Sequence, residues 1–167
     1  MQTIGDRFEK DYFLTDLIYA AEIMKEALKI LEPYIQEGER THLAKVVIGT
    51  VKGDLHDIGK NIVSSLLEGS GFEVMDLGID APPEEFMKAV KGQKAQIVGM
   101  SALLTTTLPE MENVIRILKE NHIREEVKVI IGGAQVSADF GNKIGADHAT
   151  QNAVDGVETC KKWSEQL

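Results

Sequence analysis

From residue 44 onward the apolar positions keep changing period. Nearly continuous apolar runs at 44–51, 72–77, 95–100 and 127–131, with a shorter one at 146–149, alternate with stretches at 58–69, 83–91, 108–121, 137–144 and 153–163. In those stretches apolar residues return every three or four positions. The runs predict strands and the stretches predict helices. A strand without a polar face must be covered on both sides, so the alternation predicts a parallel sheet between two layers of helices.

The simplest arrangement of that alternation is an α/β, flavodoxin-like (Rossmann-like), doubly wound five-stranded parallel sheet in the order 2-1-3-4-5. Ahead of it, Leu17, Ala20, Ala21, Met24, Leu28 and Leu31 lie at helical spacing, which predicts one amphipathic helix over 16–34. Thr15 or Asp16 would cap its start, and Pro33 marks its last turn or its end. One such helix cannot bury its own stripe, so it must lie on the following domain, on a shorter helix before it, or on another chain. Glu37-Gly38-Glu39-Arg40-Thr41 reads as a linker, which divides the chain into a short helical segment, 1–40, and a main domain, 41–167.

Composition narrows the function. A chain of 167 residues buries enough surface to need no covalent staples. Cys160 is the only cysteine and cannot close an internal disulfide, and no apolar run reaches the length of a membrane span, so a cytoplasmic protein is expected. The net charge of -9, with no cluster of Lys or Arg, makes nucleic acid and anionic membrane poor partners. Fifteen glycines, several at the ends of apolar runs, suit close approach of backbone to a large ligand.

The candidate chemistry lies after the first strand, in Gly53-Asp54-Leu55-His56-Asp57-Ile58-Gly59-Lys60-Asn61. His56 has a carboxylate two residues before it and another directly after. An imidazole that must present one ring nitrogen to a metal needs such a partner on the other nitrogen. In the 2-1-3-4-5 order the switch point lies between the first and third strands, so a ligand should touch the loops after strands one, three and four. His56, Ser101 and Gly132-Gly133 follow those three strands. Gly53 to Lys60 imitates a phosphate-binding loop, but five residues separate its glycines where that loop has four, and Asn61 stands where Ser or Thr should hold magnesium. A phosphorelay receiver would need an Asp after the third strand, where Ser101 stands. His42, His122 and His148 lack motif context, and 80–84 reads as a plain helix start.

Asp54-x-His56-x-x-Gly59, Ser101-Ala102-Leu103 and Gly132-Gly133 together resemble, in order and spacing, the signature of cobalamin-binding domains. The resemblance implies a corrinoid bound base-off with His56 as lower axial cobalt ligand. It also implies a relay from His56 through Asp54 to a hydroxyl, with Thr107 in the corresponding place and Thr105 and Thr106 as competitors. Leu55, Asp57, Ile58, Gly59, Ser101, Leu103, Thr105, Gly132 and Gly133 would border the cofactor and its nucleotide tail. The preceding helix is similar to the last helix of the cap in corrinoid methyl-carrier proteins, which makes 1–40 a partial helical cap. The implied function is a methyl carrier between a substrate:corrinoid methyltransferase and a corrinoid:acceptor methyltransferase, a component rather than a complete catalyst. The alternatives are the small subunit of an adenosylcobalamin-dependent mutase and a non-catalytic sensing or storage module. Proton uptake by the Asp54 and His56 pair is expected to accompany release of the imidazole from the metal.

Overall fold

The structure, a computed structural model, describes residues 43–166 and seven separate positions between Thr15 and Ala27, all helical. The rest of the helix expected over 16–34, the linker at 37–41 and the division at residue 40 lie outside the described residues.

Within residues 43–166, five strands and five helices alternate: β1 (Lys45–Thr50), α1 (Ile58–Gly69), β2 (Glu73–Asp76), α2 (Pro83–Gln93), β3 (Ile97–Ser101), α3 (Leu108–Glu120), β4 (Lys128–Gly132), α4 (Ala138–Ile144), β5 (His148–Thr150) and α5 (Ala153–Ser164). A single turn of 3-10 helix at Arg124–Glu126 precedes β4. The strands form one sheet in the order β2-β1-β3-β4-β5, and every neighbouring pair is parallel. The register brings Thr50, Ser101, Gly132 and Thr150 side by side, so four strands end in one row at the carboxyl edge.

The two sheet faces are filled differently. On one, Val47, Val98, Val129 and Ile131 pack against Phe86 of α2, Met111, Val114 and Leu118 of α3, and Ile144 of α4. On the other, Val46, Ile97 and Ile130 meet Leu66 and Leu67 of α1 and Val157 and Cys160 of α5, in a smaller cluster. Phe86 is fully buried and its ring lies beneath Gly49, where a Cβ would come within 2.8 Å of it. Phe86→Ala is expected to lower stability by about 3–5 kcal/mol, measured by urea denaturation.

Strand β5 is shifted toward its carboxyl end from the expected 146–149, because Asp147 has another task. Its carboxylate accepts hydrogen bonds from Arg124 Nη2 at 2.8 Å and from the Val129 backbone at 2.7 Å, which ties the start of β4 to the α4–β5 connection. No helix among the described residues is long and apolar enough to cross a membrane.

Candidate functional site

The loop after β1 is shaped from its backbone outward. Gly53 adopts φ +79°, and its N–H donates to Asp80 Oδ1 at 2.7 Å, which ties the loop to the one after β2. The next residue, Asp54, is completely buried. Its Oδ1 accepts from the His56 backbone N–H at 3.1 Å and lies 2.7 Å from His56 Nδ1. Its Oδ2 accepts from the backbone of Leu103 at 2.8 Å and Leu104 at 3.2 Å, and from Thr107 Oγ1 at 2.8 Å. One carboxylate thus joins the β1–α1 loop to the β3–α3 loop across the switch point.

Burial pushes the Asp54 carboxyl upward, but the hydrogen bonds from His56, Thr107 and the His56 and Leu103 backbones outweigh it and hold the group well below the usual carboxylate range. An ionised Asp54 can only accept, so Nδ1 of His56 carries a proton toward it and Nε2 is the ring nitrogen turned away from the carboxylate. The His56 side chain is 53% exposed, whereas its partner is wholly enclosed. Thr107 Oγ1 also lies 2.9 Å from Leu104 O, but one hydroxyl has one proton, and the charged acceptor binds it more strongly. Of the three consecutive threonines, Thr105 and Thr106 are exposed and only Thr107 is buried beside Asp54.

Asp57 does not share the imidazole; its Oδ2 accepts from Asn61 Nδ2 at 3.0 Å at the start of α1. Around His56 lie Leu55 and Ile58, 66% and 77% exposed, with Leu103 and Leu104 beside them. Exposed apolar side chains gathered around one polar donor mark a binding surface.

A cavity of about 580 Å³ opens beside His56 and runs down the sheet face between α1 and α5 to Val46, Leu67 and Cys160. Leu55, His56, Asp57, Ile58, Gly59, Ser101, Leu103, Gly132 and Gly133 all line it; Asp54 and Thr107 sit behind His56, and Thr105 lies outside the lining. Gly133 has φ +139°, and a Cβ there would stand 1.9 Å from the Ala102 carbonyl oxygen. At Gly59, which also lines the cleft, a Cβ would meet nothing within 4 Å, so packing within the protein does not require glycine there.

Sequence reasoning missed the far wall: Thr150, Gln151 and Asn152 after β5, and Gly156 and Cys160 on α5. The expected strand order already set the loop after β5 next to Gly132-Gly133, which was the available signal. It also missed Lys60, a cleft-lining residue whose buried ammonium pairs with Asp76 and Asn61. Burial pushes the Cys160 thiol up to about 12. The folded chain therefore favours the protonated thiol, and the associated stability is complete below its ordinary value of 9.0 and is lost as pH rises toward 12. Native Cys160 is expected to resist iodoacetamide at pH 8 and to react at once after unfolding, as read by mass spectrometry.

No cluster of three or more His, Cys, Asp or Glu side chains suited to a metal occurs among the described residues. One fixed imidazole with an apolar rim and a deep cleft instead fits a metal whose other ligands arrive with a large ring bearing a tail. Fold and site together define a flavodoxin-like domain with one large cleft open at its switch point. The B12 binding domain family matches residues 44–157, and the chain belongs to it; its cofactor is cobalamin or a related corrinoid. The chain is 43% identical over 164 residues to dimethylamine corrinoid protein 3 of Methanosarcina mazei, covering 97% of this chain and 98% of that one. A cobalamin-binding protein from Desulfitobacterium hafniense DCB-2 is 44% identical with a TM-score of 0.84, covering 97% of this chain and 77% of that one. The methanol:cobalamin methyltransferase complex MtaBC from Methanosarcina barkeri includes a chain that is 30% identical with a TM-score of 0.87, covering 99% of this chain and 62% of that one.

Proposed function

We propose that this chain is a corrinoid methyl carrier that binds its cofactor base-off, with His56 Nε2 as the lower axial donor, and serves two methyltransferases in turn. The observation that carries this reading is the 2.7 Å contact between His56 Nδ1 and a fully buried, ionised Asp54. The corrinoid, when bound, supplies the cobalt that accepts and gives up the methyl group.

The chain's own residues orient and tune. Asp54 holds the imidazole by Nδ1 and so aims Nε2, and Thr107 with the Leu103 and Leu104 amides holds Asp54 in place. Leu55, Ile58, Leu103 and Leu104 meet the apolar underside of the ring, while Ser101, Gly132, Gly133 and the cleft beyond them receive the tail. Residues 1–40 are in this reading a partial helical cap. The M. mazei relative's name supports a methylated amine as donor class, and the MtaBC complex supports a methyltransferase as partner. A single free, buried cysteine is in keeping with the cytoplasm.

The test is to load the protein separately with methylcobalamin and adenosylcobalamin, then add methylamine- and methanol-specific methyltransferases with a thiol acceptor. Methyl loss to the thiol that depends on a partner is expected. Preferential retention of the adenosyl form, as in a mutase subunit, or retention without transfer, as in a storage module, would overturn the proposal.

A further inference from the structure

The cleft changes character along its length. At the mouth its lining carries Ser101, Thr150, Gln151 and Asn152, beside the row where the strands end. Farther down the sheet face it is bounded by Val46, Leu67, Ile130 and Cys160, which are 1%, 1%, 8% and 1% exposed. Val46 on β1 and Ile130 on β4 each belong to strands paired on both sides, and Leu67 and Cys160 stand within helices, so the backbone there has no spare donor or acceptor. Of the four residues that bound that end, Cys160 alone carries a side-chain group able to hydrogen-bond, a thiol that is neutral at physiological pH and bonds weakly.

Gly156, inside α5, adds a second observation. Glycine weakens a helix relative to alanine, yet a Cβ here would meet only Ile130 Cδ1 and Thr150 Cγ2, both at 3.5 Å, which is ordinary contact. Packing within the protein does not require glycine at this position. Gly156 lines the cleft, so the α5 wall carries no side chain at that point.

We propose that the lower end of this cleft selects among corrinoids by the base on the nucleotide tail, accepting the apolar dimethylbenzimidazole and discriminating against a purine. This rests on the reading that the tail enters the cleft, and it goes further by naming the class of tail. Adenine carries an amino donor and several ring acceptors; in a pocket bounded by Val46, Leu67 and Ile130 they lose water and gain no partner. Dimethylbenzimidazole presents two methyl groups and one fewer ring acceptor pair to the same wall. One or two unpaired groups correspond to about 10- to 100-fold in affinity.

Three ligands test this by quenching of Trp163, the sole tryptophan. They are cobalamin, the adenine-base cobamide, and cobinamide, which lacks the nucleotide. Cobalamin is expected to bind at least about 10-fold more tightly than the adenine form. Gly156→Ala is expected to weaken cobalamin binding by about 10-fold, to leave cobinamide binding unchanged, and to keep or raise the melting temperature. Equal affinity for cobalamin and the adenine form, both above cobinamide, would overturn the selection while leaving the tail in the cleft. Equal affinity for all three, or a Gly156→Ala effect shared by cobinamide, would overturn the selection and the placement of the tail together.

Discussion

Asp54→Ala is expected to destabilise the folded chain by about 3–5 kcal/mol and to disorder the imidazole beside it. The carboxylate is completely buried and receives five hydrogen bonds, from the backbone of His56, Leu103 and Leu104 and from the side chains of His56 and Thr107. Removing it leaves enclosed donors without an acceptor, and each such donor costs about 1–3 kcal/mol before the loops relax. Urea denaturation should show a lower midpoint at an unchanged slope. The same carboxylate gives the acid limb of stability its shape. Its folded pKa lies well below the unfolded one, so its contribution is complete above the usual carboxylate range near pH 4 and is lost as pH falls toward the folded value. Asp54→Asn retains the volume and one oxygen acceptor but cannot ionise. Its stability should therefore fall less steeply than that of the wild type below pH 4, and parallel acid limbs would show that Asp54 is not held ionised.

Gly133→Ala is expected to be as severe for a different reason. The backbone at Gly133 has φ +139°, a region that side chains rarely tolerate, and a Cβ would stand 1.9 Å from the Ala102 carbonyl oxygen and 2.9 Å from its carbon. Both obstacles are backbone, and the Ala102 N–H is itself bonded to Gly132 O at 3.1 Å, so relief requires β3 and β4 to part where the cleft opens. A loss of at least about 4 kcal/mol in stability is expected, with weakened corrinoid binding in any protein that still folds. Gly59→Ala is the matched control, because a Cβ there meets nothing within 4 Å. It should leave the stability of the ligand-free protein nearly unchanged.

The sheet order was legible because strands β1, β3 and β4 are nearly pure apolar runs, which leaves little choice but burial on both faces. That order in turn explains why motifs far apart in the chain meet at one edge: Thr50, Ser101 and Gly132 are neighbours in register. The identity of the hydroxyl beside Asp54 was not legible, since three threonines in a row offer the same chemistry. Only the start of α3 decides which of them turns inward, and it is Thr107. Lys60 was hidden for a related reason. A lysine in the first turn of a helix reads as solvent-facing, and only the closeness of Asp76 at the end of β2 makes its burial tolerable. Gly156 and Cys160 were hidden because helical spacing reports which face of α5 turns toward the sheet, not that part of that face borders a cavity. His148, set aside in the sequence, pairs with Asp155 at 2.8 Å and takes no place in the cleft lining.

The decisive question is which nitrogen sits beneath the cobalt. Protein grown with 15N-histidine and loaded with unlabelled cobalamin in its paramagnetic cobalt(II) state answers it by electron paramagnetic resonance. Coordination by His56 predicts that the superhyperfine triplets of the unlabelled protein become doublets, since the bound nucleus changes from 14N to 15N. Triplets that persist in the labelled protein would mean that the cofactor keeps its own base, and the account of this site would fail.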